Sequence, residues 1–221
     1  MVRQRTRARR TGRIVCVKSL PEGSQLNHSL LKELLALQRR DLDTRSRLLR
    51  EGRLFGGYAP EMQQVHRENA VRLDRLISEY GWPGVSLVGE DAAKAAWLIA
   101  QHAICTPALQ RRFVEHLSKA VESGEAPKIQ AALLTDRIRF NENKPQVYGT
   151  VLDWDEHGEL SCEVESPDDV DARRSAVGLG PFHSDLEKHR RAVESEGGRP
   201  PADLVRYRQQ RDAWARSVGW L

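Results

Sequence analysis

The feature that most constrains the fold is a short segment, residues 90–104, that is apolar around nearly its whole circumference. Its apolar residues are Ala92, Ala93, Ala95, Ala96, Trp97, Leu98, Ile99, Ala100 and Ala103. A helix without a polar face is normally enclosed by other elements. The segment therefore predicts the central helix of a bundle, and a chain of 221 residues is long enough to build one substantial core around it.

Four further segments have helical spacing or strong helix boundaries, and they predict the helices that surround the central one. Leucines recur three and four residues apart in the first, which Ser24 is placed to cap. Pro60 is placed to begin the second, and Thr106-Pro107 the next after the central helix. The four segments are residues 24–50, 60–81, 106–124 and 128–139. The sequence thus predicts a bundle of about five helices.

Residues typical of strands become frequent after the last of these helices. Residues 146–154 are rich in Val, Tyr, Thr and Trp, and a turn at 155–158 would let residues 160–165 pair back as a hairpin. Two polar helical stretches follow, at about 184–196 and 201–217.

These patterns together predict a mainly α fold in three parts. We expect a disordered basic tail at 1–23 and a helical domain carrying a small β-hairpin at 24–182. Residues 183–221 are expected to form a polar, loosely packed helical C-terminal extension.

Composition excludes several classes of protein. No apolar run approaches the roughly 18–20 residues that cross a bilayer, and no secretory signal is visible, so we expect a cytoplasmic protein without membrane contact. The three cysteines, Cys16, Cys105 and Cys162, are widely spaced and form no CxxC pair. A disulfide framework and a structural zinc site are therefore not expected.

The net charge of +4 is concentrated in the tail. Residues 1–18 hold seven basic residues and no acidic one, so the rest of the chain is slightly acidic. Such a tail can contact nucleic acid through phosphates without reading sequence, and we expect no other nucleic-acid binding.

The first candidate site residues are Gln101 and His102, two polar side chains at the end of the apolar central helix. Burying such groups without partners costs roughly 1–3 kcal/mol, so each must find hydrogen bonds inside the fold. Imidazole titrates near neutral pH, which makes His102 a candidate general acid or base. A core histidine and glutamine bonded to backbone carbonyls is the alternative interpretation.

The second group of candidates lies at the end of the fifth helix and in the predicted strand. Asp136 is unfavourably placed beside the negative end of a helix dipole, so we expect a partner for it, either an arginine or the imidazole of His102. Arg137 could clamp a carboxylate or phosphate. In an alternating strand Gln146, Tyr148 and Thr150 share one face, which suits either ligand recognition or contact with water.

No cofactor or metal is predicted. GxxxxGK[ST], GxGxxG, HExxH and GxSxG are absent, as is the Glu-x-x-His pattern of di-iron bundles. His66 and His102 lie on different predicted helices and could meet, but their spacing is not diagnostic of a metal site.

Several short motifs occur in an order that resembles a bacterial family known only as a domain of unknown function. The motifs are Tyr80-Gly81-Trp82-Pro83, Val88-Gly89, Ala96 to Ala103 with Gln101-His102-Ala103, Pro107 with Gln110, Leu134-Thr135-Asp136-Arg137, Pro145 to Thr150, Val170 to Arg174, and Val177-Gly178-Leu179. The resemblance extends over about residues 30–181. This chain departs from it at Ile104 and Val151, where acidic and glutamine residues are common. The resemblance implies no particular reaction.

Besides association with nucleic acid through the arginine-rich tail, two functions remain open from the sequence, and the observations favour these two. In the first, the chain is a hydrolase or group-transfer enzyme for a small polar or anionic ligand, with His102 as acid/base and Asp136 as its orienting group. Arg137 and Arg173 would then bind an anionic group, and Gln101, Gln146, Tyr148 and Thr150 would position the substrate. In the second, the chain is a non-catalytic binding or interaction module, and the same polar residues form a structural core.

Overall fold

The structure is a computed structural model, and it describes residues 26–54 and 58–221. The predicted tail at 1–23 and the predicted cap Ser24 lie outside the described residues. In these residues the chain is mainly α, with eight α-helices and one small antiparallel hairpin. The predicted fold class is confirmed.

Five helices form the bundle, as the sequence predicts. They are α1 (His28–Arg50), α2 (Pro60–Tyr80), α3 (Val85–His102), α4 (Pro107–Glu122) and α5 (Lys128–Asn141). A 3-10 turn, Ala103–Cys105, joins α3 to α4. Asn27 begins α1, because its Oδ1 accepts the backbone N–H of Leu30 at 3.0 Å.

Helix α3 lies at the centre of the core, and its backbone breaks at Gly89, which has a φ of 77°. Five of its residues and the one that follows are fully or almost fully buried alanines, and these small side chains let neighbouring helices approach closely. These alanines are Ala92, Ala93, Ala95, Ala96, Ala100 and, in the turn, Ala103, together with buried Val88 and Ile99. Leu34, Leu73, Phe113 and Leu134 pack in the same core from the other four helices.

The hairpin is shorter than the sequence predicts. Its strands are β1 (Asp153–Trp154) and β2 (Leu160–Ser161), paired with Trp154 opposite Leu160. Residues 146–151 are a loop, apart from one isolated bridge between Gln146 and Val164. The predicted strand over 146–154 is therefore wrong for most of its length.

The chain ends with three further helices: α6 (Val170–Ala176), α7 (Phe182–Ser195) and α8 (Leu204–Val218). The C-terminal extension packs more closely than expected, because Ala215 and Trp220 are buried in the main core. The indole Nε1 of Trp220 donates to the carbonyl of Ile104 at 2.6 Å. No helix within the described ranges is both long and apolar enough to cross a membrane.

Candidate functional site

Two histidines converge on one buried carboxylate where α1, α2 and the end of α3 meet. Nδ1 of His102 is hydrogen-bonded to Oδ2 of Asp41 at 2.8 Å, and Nε2 of His66 lies 3.2 Å from the same oxygen. The Asp41 side chain is 1% exposed and that of His102 is 30% exposed. We call Asp41, His66 and His102 the Asp41 cluster. In this cluster, the buried carboxylate of Asp41 is hydrogen-bonded to the imidazole of His102, which is partly exposed to solvent.

The carboxyl of Asp41 stays ionised although it is buried. Burial raises its pKa, but the hydrogen bond from His102 and the adjacent imidazole of His66 outweigh this effect and hold the pKa well below its usual range. Among the described residues, no lysine or arginine forms an ion pair with Asp41. The two imidazoles are therefore its only charge-stabilising side chains there.

A tyrosine orients the second imidazole of the cluster. The hydroxyl of Tyr58 bonds Nδ1 of His66, so the opposite nitrogen of that ring faces Asp41. The ring of Trp214, from α8, packs edge-on against Tyr58 with centroids 5.6 Å apart.

Burial raises the pKa of the neighbouring Cys105 thiol, whose Sγ lies 3.5 Å from the carbonyl of Gln63. The thiol is thus kept protonated and is a poor nucleophile.

Asp136 does not pair with His102, and the expected His102–Asp136 pair is wrong. Its carboxylate is fully buried and accepts the backbone N–H groups of Val147, Tyr148 and Thr150 at 2.9–3.1 Å, and the Thr150 hydroxyl at 2.9 Å. Burial raises the pKa of Asp136, and these four donors oppose the rise. Asp136 therefore anchors a loop. The N–H groups of that loop stabilise a carboxylate that would otherwise be unfavourable at the negative end of the helix dipole.

The same bonds explain why residues 146–151 are not a strand. Oε1 of Gln146 accepts the N–H groups of Thr150 and Val151, and its Nε2 donates to the Val151 carbonyl at 2.7 Å. Gly149 adopts a φ of 66°, and a Cβ there would come within 2.4 Å of the Phe182 ring. Gln146, Tyr148 and Thr150 consequently do not form one polar strand face.

Both arginines of α6 hold carbonyl oxygens of this part of the chain. Arg173, expected as an anion binder, donates through Nε to the Val147 carbonyl at 2.9 Å and also bonds the carbonyl of Glu165. Arg174, which the sequence did not single out, donates to the Tyr148 carbonyl at 2.6 Å and pairs with Asp185 at 2.6 Å. Both guanidinium groups therefore hydrogen-bond to other groups of the protein.

Two predicted residues have polar atoms without partners. Gln101 is buried and its Oε1 has no hydrogen-bond partner among the described residues, while its carbonyl accepts from Gln110 at 3.1 Å. Nε of Arg137 likewise has none there, and burial lowers the pKa of this guanidinium. Among the described residues, no hydrogen bond or ion pair joins either side chain to the Asp41 cluster.

Residues 28–198 match DUF6624, a family of unknown function. The chain belongs to this family. No curated protein and no solved structure is significantly similar to this family member. Helix α8, which places Trp214 against Tyr58, lies beyond the matched residues.

Sequence reasoning missed Asp41 and Tyr58 and gave little weight to His66. A signal for Asp41 exists: it falls seven residues after Leu34 and seven before Leu48, both buried, so it lies on the apolar stripe of α1. His66 similarly lies four residues after Met62 and four before Ala70. A charged or polar residue on the inward face of a helix indicates a buried polar site.

A surface cavity of about 450 Å³ lies away from the cluster, between the hairpin and α7, and is lined by Trp154, Leu160 and Arg190 among others. None of the residues lining it belongs to the Asp41 cluster or to the Asp136 loop. Chemistry, rather than cavity size, identifies the candidate site.

Proposed function

We propose that this family member is an enzyme of the bacterial cytoplasm that carries out hydrolysis or group transfer on a small polar or anionic substrate. His102 is the general acid/base and Asp41 its orienting group. The observation that carries the proposal is the 2.8 Å bond between a buried, ionised carboxylate and a partly exposed imidazole. Such a pair is the usual way to hold a catalytic imidazole in one tautomer.

The hydrogen bond decides which ring nitrogen can act. An ionised carboxylate can only accept, so Nδ1 of His102 carries the proton and Nε2 carries the lone pair. No group in the described residues hydrogen-bonds Nε2. It can take a proton from water or a hydroxyl group as the oxygen forms its bond to the electrophilic atom. The ring then returns that proton to the leaving group.

The first test measures turnover of three chromogenic compounds: p-nitrophenyl acetate, p-nitrophenyl phosphate and bis-p-nitrophenyl phosphate. We expect His102→Gln to lower the rate with the best of them by at least about 100-fold, the scale of general acid/base catalysis. The fold should persist, because the ring is partly exposed and glutamine still forms hydrogen bonds. His157→Gln, at an exposed position in the hairpin turn, is the matched control. Equal rates for wild type and His102→Gln would contradict the proposal.

A second test needs no substrate. Imidazole nitrogen chemical shifts in chelator-treated protein report which nitrogen of His102 carries the proton. We expect Nδ1 to carry it in wild type and the preference to weaken in Asp41→Asn. A proton on Nε2 in the wild type would remove the proposed base.

The Asp136 loop favours the alternative, a non-catalytic module with a structural polar core. Asp136, Gln146 and Arg173 satisfy backbone groups of the loop, and so they have the bonding expected of structural residues. If His102→Gln changes neither rate nor ligand binding, this second function is the better one.

A further inference from the structure

The Asp41 cluster has the donor atoms of a metal site. One carboxylate oxygen and one nitrogen from each imidazole lie within 4.8 Å of one another, and each comes from a different helix. Oδ2 of Asp41 is 2.8 Å from His102 and 3.2 Å from His66. Ligand atoms around a tetrahedral zinc ion are about 3.3 Å apart, given bonds of about 2.0–2.1 Å. The His66 spacing is close to this value, and the His102 spacing is the shorter one of a hydrogen bond.

Two atoms of the cluster lack the hydrogen bonds that burial normally demands. Oδ1 of Asp41 and Nε2 of His66 are buried, and neither has a hydrogen-bond partner among the described residues. Nε2 of His66 is near Oδ2 of Asp41 but is not aligned for a hydrogen bond to it. Unsatisfied buried groups are rare in folded proteins and indicate a missing partner. Both unpaired atoms belong to residues of the Asp41 cluster.

The charge of the cluster points to a cation as that partner. Asp41 is a buried carboxylate, and in the described residues it has no lysine or arginine partner. A buried charge is normally paired or bound to a metal. Two neutral imidazoles and one carboxylate are ligands that zinc and similar divalent transition metals prefer, whereas calcium and magnesium prefer oxygen alone.

The surroundings of His66 also fit a ligand role. Ligating histidines usually bond a second group through the nitrogen that does not face the metal. Nδ1 of His66 has this arrangement with the Tyr58 hydroxyl, and Trp214 packs against the tyrosine ring. The ring centroids of His66 and His102 are 4.9 Å apart, with the exposed edge of the cluster at His102.

We propose that Asp41, His66 and His102 bind one divalent transition-metal ion of the zinc class. Three protein ligands leave an open position for water, which is typical of catalytic rather than structural zinc sites. The inference rests on the proposed function only in taking this cluster as the reaction centre. Zn²⁺ would displace the proton between His102 and Asp41, so in the metal-bound protein the His102 imidazole would be a ligand rather than the general base, and a metal-bound water would supply the nucleophile.

The test is calorimetric titration of the chelator-treated full chain with Zn²⁺. We expect about one equivalent to bind with a Kd at or below the micromolar range. His102→Gln should weaken binding by at least about 100-fold, and Tyr58→Phe by about 10- to 100-fold. His157→Gln, an exposed histidine, should leave the Kd unchanged. Failure of the wild type to bind one equivalent, or equal affinity in His102→Gln, would overturn the inference.

A second measurement on the wild type does not depend on any variant folding. Co²⁺ bound by two imidazoles and a carboxylate should give visible d–d absorption without the near-ultraviolet thiolate band. Absence of the visible absorption overturns the inference. A thiolate band would overturn the ligand set, because it would make the nearby Cys105 a ligand.

Comparison with turnover separates this inference from the proposed function. Tight, His102-dependent Zn²⁺ binding without turnover of any chromogenic compound supports the metal site and counts against the enzyme. His102-dependent turnover without Zn²⁺ binding supports the enzyme and overturns the metal site.

Discussion

Two buried aspartates have opposite environments, and this difference separates the two candidate roles. Asp136 accepts three backbone N–H groups and one hydroxyl, so every strong interaction it makes is local to the loop at 147–150. Asp41 shares one oxygen between two imidazoles and leaves its other oxygen without a partner in the described residues. A carboxylate saturated by backbone donors is typical of structure, whereas an unsaturated one beside histidines is typical of a site.

At this scale we predict that Asp136→Ala destabilises the protein. The substitution leaves three N–H groups without their acceptor, and the free energy of unfolding should fall by about 3 kcal/mol or more. Chemical denaturation followed by circular dichroism measures it. Asp168→Ala, an exposed aspartate without an assigned side-chain bond, should change stability by less than about 0.5 kcal/mol. A similar small change in Asp136→Ala would show that the loop does not depend on this carboxylate.

Helix α3 determines how closely the bundle packs and where the cluster lies. Its small side chains let neighbouring helices approach, and its last residue, His102, is placed beside Asp41 of α1. The turn Ala103–Cys105 follows the helix, and the carbonyl of Ile104 in this turn accepts a hydrogen bond from the Trp220 indole. The same helix therefore provides both the close packing of the bundle and one residue, His102, of the Asp41 cluster.

We predict that Ala96→Leu costs about 1–3 kcal/mol of stability. Ala96 is fully buried, and a larger side chain there must displace close-packed neighbours. Lys94→Leu adds a similar apolar side chain at an exposed position of the same helix and should have little effect. Guanidinium denaturation of both variants measures the difference. Equal stability of the two would mean that α3 has free space around it.

At the scale of the whole molecule, α8 connects the bundle, the cluster and the hairpin. Trp220 enters the core, Trp214 packs on Tyr58, and the Tyr207 hydroxyl donates to Asp153 of β1 at 2.7 Å. Tyr207 and Trp214 lie on α8, and Trp220 follows two residues after its end. This C-terminal segment is mostly polar, so its few apolar and aromatic residues make the packing contacts.

Trp220→Ala should therefore destabilise the whole protein by roughly 3–5 kcal/mol, as expected when a buried aromatic is removed from a core. Val205→Ala is the control, because Val205 is 68% exposed on α8, the helix that directly precedes Trp220. Thermal denaturation of the full chain compares them. A Tm for Trp220→Ala equal to that of Val205→Ala would show that the C-terminal segment is not part of the cooperative fold.

Much of the secondary structure follows from local sequence, since helix periodicity and turn residues act over a few positions. The bundle, the apolar α3 and the helix beginnings at Pro60 and Pro107 are all readable in this way. The prediction of a strand over 146–154 was wrong because local propensity could not reveal the role of Asp136, which lies on another element. Its carboxylate accepts the backbone N–H groups of Val147 and Thr150, which in a strand would bond to a neighbouring strand.

The sequence by itself determined that His102 is an anomalous polar residue at the end of an apolar helix. Only the tertiary structure decided its partner, because Asp41 and Asp136 are both carboxylates on helices and a pattern cannot rank contacts between elements. Asp41 is 61 residues away in the chain and bonds His102, while Asp136 is closer in sequence and bonds a loop. Helix packing brings α1, α2 and α3 together at one point, and that convergence creates the cluster.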